Sequence, residues 1–206
     1  MAMYSIGISG LIISLNANAR DTLQAWFADD SAGAGTIEAV KVWWDHLNEV
    51  GPSFGYYPKA CKSYIVVKDE RIRQKALAVF QGEAINITID GERHIGAVIG
   101  SQSHKESFVK SKVDRWVKDI RELSGIAKEE PQAALVSFNA GVSQRWKFLQ
   151  RTVSDISQML TPLEAAIRDE FIPAVCGRHV SDIEREILSL PCRHGGLGIV
   201  NPIETS

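Results

Sequence analysis

The stretch "LQAWFADDSAGAG" (residues 23–35) decides how this chain is read. It runs apolar through Leu23, Ala25, Trp26 and Phe27, sets Asp29 beside Asp30, then passes into small residues and glycines. Residues 22–28 have the β-branched, aromatic and apolar character of a strand, and "DDSAGAG" reads as a turn and its exit. Adjacent carboxylates repel, so a fold that presents them together favours a cation between them. Hard, charged oxygens suit Mg²⁺ or Mn²⁺ and leave coordination places for other oxygen ligands. A bare aspartate pair in a turn is ordinarily only a solvated turn, so the rest of the chain must decide.

Working outward, residues 2–14 read as an apolar helix that the polar "ARDT" ends. Downstream, "TIEAVKVWWDHLNEVGP" places Ile37, Val40, Trp43, Trp44, Leu47 and Val50 on one helical face, and Gly51-Pro52 stops it. Residues 63–67 read as a strand and 70–80 as a short helix. "INITIDGERHIGAVIG" alternates across Ile85, Ile87 and Ile89, turns at Asp90-Gly91 and returns as a hairpin. From residue 101 the pattern turns helical. Val109, Val113, Trp116, Val117, Ile120 and Leu123 form an apolar stripe. Capping boxes are expected at Ser103/Glu106, Thr161/Glu164 and Ser181/Glu184, with Pro162 at a first helical position. The expected fold is α+β, mixed over residues 1–100 and mainly helical over 101–206.

The 206 residues are 45% hydrophobic and 23% charged, enough for a buried core in one large or two small domains. A net charge of −2 gives no global attraction for polyanions, so any basic surface is local. Three cysteines make no disulfide framework, which favours an intracellular, reducing compartment, nuclear or cytoplasmic and not secreted. "MAMYSIGISGLIISL" lacks the basic start of a signal peptide and is short for a membrane span, so no membrane association is expected. Cys176, His179, Cys192 and His194 are poorly spaced for zinc, since one residue between the last two is too tight.

Several motifs in order carry a resemblance to the reverse transcriptase family, of the retrotransposon type. "FADD" (residues 27–30) resembles the aromatic-x-Asp-Asp signature of the polymerase palm. "GYYPKACKS" resembles the family's glycine-to-lysine palm segment through Gly55, Lys62 and Ser63, with Lys59 replacing an asparagine. "RHIGAVIG" is similar to the primer-grip segment, and "LPCRHGGLGIVNP" to the tail after the thumb. "MAMYSIGISGLI" resembles the helix that follows the template-contacting motif.

The resemblance implies a fold of partial palm (residues 1–100) followed by a helical thumb and tail (101–206). It implies Asp29 and Asp30 as metal ligands for Mg²⁺ or Mn²⁺, and Lys62 as the charge beside an incoming deoxynucleoside triphosphate. Phe27 would pack near the primer terminus, and small residues after the aspartates would admit that terminus. His94 would lie against the primer backbone, with Gly96 allowing close approach. Lys110, Lys118 and Arg121, on the polar side of the first thumb helix, would contact the phosphates of an RNA or DNA template–primer duplex. The family's third catalytic aspartate lies upstream of the opening helix, and Asp21 does not match it. This chain is therefore expected to be a polymerase fragment, weak or inactive alone, that pairs with the missing N-terminal polymerase portion. The alternative is a non-catalytic nucleic-acid-binding or protein-interaction module. Trp116 and Trp146 read as core, although Trp146 between Arg145 and Lys147 could also reach a nucleic-acid surface.

Overall fold

Helix α1 (Ala2–Asn18) is apolar on nearly every side, and it buries Ile8, Leu11 and Leu15. It is longer than the apolar run alone predicts, because Ala17 and Asn18 continue it. The computed structural model to which it belongs describes residues 2–205. The chain divides into two compact units, the first ending at Ser101 and the second beginning at Gln102, and each is mixed or helical as its sequence pattern dictates.

In the first unit, β1 (Leu23–Phe27) and β2 (Asp30–Ala34) form an antiparallel hairpin with Phe27 paired to Asp30. The small residues that read as the exit of a turn are therefore the returning strand. Helix α2 (Ile37–Val50) follows, capped by the Thr36 hydroxyl, and buries Ile37, Trp43, Trp44 and Leu47. Gln24 joins the three elements. Its amide donates to Ile12 O (3.2 Å) and Asn16 Oδ1 (2.6 Å) on α1, and its carbonyl accepts from the Trp26 and Trp43 indoles at 2.8 and 3.3 Å.

As expected, α2 ends at Gly51, its C-cap, whose N–H donates to Leu47 O; the chain then makes a 3₁₀ turn at Gly51–Phe54 that the left-handed Gly55, at φ 73°, closes. Next come β3 (Tyr64–Val66), α3 (Glu70–Val79) and β4 (Asn86–Thr88). β3 and β4 pair in parallel, with α3 in the crossover that a parallel pair requires. The hairpin expected at Asp90-Gly91 is displaced. It joins β5 (Gly91–His94) to β6 (Ala97–Gly100), and its turn is Ile95-Gly96, both at positive φ. Gly91 instead opens β5 opposite Gly100, and it is position 100 that must be glycine, since a Cβ there would lie 2.3 Å from the Gly91 Cα. The core is Leu11, Leu15, Trp43, Trp44, Leu47 and Phe80, with their apolar neighbours.

The second unit starts with α4 (Gln102–Ala127), which buries the whole predicted stripe from Val109 to Leu123. Ser103 and Glu106 both lie inside this helix, so they do not form its capping box; Gln102 donates to Glu106 instead. After α5 (Pro131–Ser137), a π turn at Phe138–Val142 leads into α6 (Ser143–Thr152). After α7 (Thr161–Ala166), a second π turn at Ile167–Phe171 leads into α8 (Ile172–Cys176). Each π turn delivers one ring of a stacked pair, Phe138 on Phe171 at 4.8 Å between centroids. Trp146 packs on Phe138 and on Trp116 and is 1% exposed, which makes it core and removes it from any surface role.

Thr161 does not cap α7. Its hydroxyl donates to Gln158 O, and Glu164 is engaged by Arg185. Helix α9 (Asp182–Ser189) does carry its capping box, Ser181 with Glu184. Arg185 is nearly buried. It donates twice to the Glu164 carboxylate, 2.8 Å each, and once to Ile199 O at 2.7 Å. Thus "GGLGIV" is stapled to its own unit. Asn139 reinforces it by donating to Leu197 O, and Gly196 is required because a Cβ there would lie 2.0 Å from Leu190 O.

Candidate functional site

The hairpin tip is the two-residue connection Ala28-Asp29 between the paired Phe27 and Asp30. Ala28 sits at φ 54°, a left-handed conformation that disfavours a side chain by about 1–2 kcal/mol. Asp29 closes the turn, Asp30 opens β2, and both are exposed. Phe27 is 56% exposed, an apolar ring left in solvent beside the aspartates.

The glycines after the pair accommodate the protein itself. A Cβ on Gly33 would lie 3.1 Å from the Trp43 ring, and one on Gly35 would lie 2.9 Å from Asp21 O. Gly33 thus lets β2 close on α2, and Gly35 lets the chain pass close to Asp21.

A broad cleft of about 1710 Å³ opens in the first unit, and Asp29, Asp30, Lys62 and His94 all line it. Phe27 and Gly96 lie outside its lining. Gly96, at φ 81°, is explained by its turn. Lys62 ends the short turn Ala60–Lys62 just before β3, and its side chain is exposed. The cleft is more basic than the motifs imply. Lys59, Lys62, Lys68, Arg71 and Arg93 line it, and none of the five has an ion-pair partner among the described residues. Lys75, by contrast, is engaged with Glu38. A chain with net charge −2 thus brings five unpaired cations to one cleft, where Asp29, Asp30 and Glu92 are the acidic lining. Arg93 opens the segment that resembles the primer grip, whereas no motif marks Lys68 or Arg71, which the β3–α3 junction and α3 bring to the cleft.

Two tyrosines face the aspartates. Burial pushes the Tyr4 phenol above its ordinary value, and the Asp29 charge adds to this. Burial also raises Tyr56; its hydrogen bond with Ser31 opposes that, and Tyr4, Asp30 and Asp29 reinforce it. Both phenols therefore remain protonated donors at neutral pH. The Tyr56 hydroxyl donates to Asp29 O at 3.1 Å and lies 2.8 Å from Ser31 Oγ. Nothing in "GYYPK" separates Tyr56 from Tyr57, so this residue was not legible in the sequence.

The donor set fits a hard cation. Two exposed carboxylates on consecutive residues suit an ion that completes its shell with phosphate and water oxygens. Among the described residues no group of three or more His, Cys, Asp or Glu is placed to hold a metal, so the pair stands without a third protein ligand. The same holds for the Cys176, His179, Cys192 and His194 set, in which His194 accepts from Arg193 at 3.1 Å.

In the second unit, Lys110, Lys118 and Arg121 lie on the exposed side of α4. Lys118 is 3.9 Å from Glu122, and Arg121 donates to Glu170 at 2.9 Å. Exposed pairs of this kind contribute about 0–1 kcal/mol and yield readily to a stronger anion. No described helix is long and apolar enough to cross a membrane. No protein-family model, no curated protein and no solved structure matches the chain.

Proposed function

We propose that this chain is the palm-and-thumb part of a retrotransposon-type RNA-directed DNA polymerase. The observation that carries the reading is one cleft that holds Asp29, Asp30, Lys62 and four further unpaired cations. In this reading Asp29 and Asp30 hold Mg²⁺ or Mn²⁺ at the hairpin tip. Bound there, the ion supplies charge stabilisation to the phosphates and lowers the pKa of an attacking hydroxyl. The reaction is attack of a primer 3′-hydroxyl on the α-phosphate of a deoxynucleoside triphosphate, with pyrophosphate leaving. Lys62 neutralises the triphosphate, which suits a reaction governed by positioning and charge. His94 and the four further cations hold the template–primer backbone, and Lys110, Lys118 and Arg121 supply sequence-independent phosphate contacts. With two carboxylates and no third among the described residues, the site binds substrate more readily than it turns it over, and a further carboxylate supplied by another polymerase segment would complete it.

The test is binding of a fluorescent deoxynucleoside triphosphate to wild type and to Lys62→Ala, with Mg²⁺ and with EDTA. The expected result is Mg²⁺-dependent binding that Lys62→Ala weakens about tenfold, or ~1.4 kcal/mol. Binding that ignores both EDTA and the substitution would remove the polymerase reading and leave the cleft as a non-catalytic nucleic-acid-binding surface.

A further inference from the structure

We infer that Tyr56 is a positioning residue for the aspartate pair: its hydroxyl engages the Asp29 carbonyl and the Ser31 side-chain hydroxyl, one on each side of Asp30, and thereby holds the hairpin tip in place for a divalent cation. The inference rests on the metal-site reading above and adds a residue that the motifs do not name.

The bonding pattern is definite. The phenol has one proton, and it points to the carbonyl of Asp29, 3.1 Å away. The 2.8 Å contact with Ser31 Oγ must then be donated by the serine. One side chain thus grips residue 29 in the turn and residue 31 in the returning strand.

The tip needs such a grip for two reasons. It belongs to a two-stranded sheet, an arrangement of marginal stability by itself. Ala28 holds a left-handed conformation, which persists only where its surroundings enforce it.

Tyr56 is itself well anchored. Its backbone N–H donates to Gly51 O at 3.0 Å. Its carbonyl lies so close to Gly51 that a Cβ there would approach within 2.7 Å. Its ring meets Trp26 edge-on at 5.2 Å. The clamp therefore ties the tip to the end of α2, and position 51 must be glycine to allow it. The adjacent Tyr57 is 69% exposed and has no hydrogen bond of this kind among the described residues.

The experiment compares wild type with Tyr56→Phe, Ser31→Ala and Tyr57→Phe. Mn²⁺ affinity is read by electron paramagnetic resonance, and amide hydrogen exchange is read in metal-free protein. Tyr56→Phe keeps the ring on Trp26 and deletes only the hydroxyl. It is expected to weaken Mn²⁺ binding about tenfold, as loss of a ligand-orienting partner does. It should also speed exchange at residues 29–32 while α2 amides stay unchanged. Ser31→Ala, which deletes one of the two contacts, should give a smaller effect in the same direction, and Tyr57→Phe should give none. Equal Mn²⁺ affinity and equal tip exchange in wild type and Tyr56→Phe would overturn this inference alone. Absence of Mn²⁺ binding by wild type would overturn the metal-site reading and this inference with it.

Discussion

The two units treat charge in opposite ways. In the second, the most buried charge is Arg185, and every strong bond it makes is internal: two to Glu164 and one to Ile199 O. In the first, the charges of interest are exposed carboxylates at a turn and unpaired cations along a cleft. The packing differs in the same sense. The second unit buries Phe138, Trp146 and Phe171 at 0–1% exposure in one aromatic group. The first carries three separate two-stranded sheets. Paired and buried charge maintains structure, whereas unpaired and accessible charge remains available to a ligand. The proposed metal chemistry therefore lies in the first unit, whereas the most buried charge of the second is spent on its own packing.

The largest expected effect tests the structural side of this contrast. Glu164→Gln leaves the Arg185 guanidinium buried beside a neutral amide, and it should destabilise the second unit by about 3–5 kcal/mol, read by urea denaturation. An effect under about 1 kcal/mol would place this pair with ordinary surface ion pairs and erase the contrast.

A smaller effect of opposite sign is expected at the other pole. Ala28→Gly relieves the left-handed conformation at the hairpin tip and should stabilise the first unit by about 1 kcal/mol, provided the tip keeps its geometry. Thermal melting with and without Mn²⁺ checks this. Destabilisation would mean that Ala28 contributes packing that outweighs its backbone conformation.

The smallest effect concerns α9. Hydrogen bonds from Arg178 and Ser181 lower the Glu184 carboxyl from its ordinary 4.5 to about 2. A lowered folded-state value gives stability that is present above about 4.5 and is lost as pH falls toward 2. The helical signal of α9 should therefore fade over that interval, and Glu184→Gln should flatten the dependence. An unchanged acid profile in Glu184→Gln would assign the fading to other carboxylates.

How much of this was legible in the sequence depends on the kind of signal. Periodic apolar faces were reliable: α4 buries its whole selected stripe, and α2 buries Ile37, Trp43, Trp44 and Leu47 with Val40 and Val50 half-buried beside them. Paired local motifs were less so. Ser181/Glu184 forms its box, but Ser103/Glu106 falls inside a helix, and Glu164 is taken by Arg185 from 21 residues away. A distant partner outcompetes a local one because it also compensates a buried charge. Asp90-Gly91 misled because Gly91 lies in a strand opposite Gly100, and Ile95-Gly96 makes the turn. At the candidate site, the aspartates and Lys62 were visible as motif residues. Tyr56, Lys59 and Arg93 lay inside motif segments with nothing to mark their part in the cleft, and Lys68 and Arg71 lay outside them; tertiary contacts bring all five there.

The central claim is that Asp29 and Asp30 form a divalent-cation site. The most direct test is Mn²⁺ titration by electron paramagnetic resonance on wild type, Asp29→Asn and Asp30→Asn. The account predicts saturable binding of one ion to wild type and its loss in both variants, with the fold intact by circular dichroism. Equal binding in all three proteins, or none in any, would contradict it and leave "FADD" as a solvated turn.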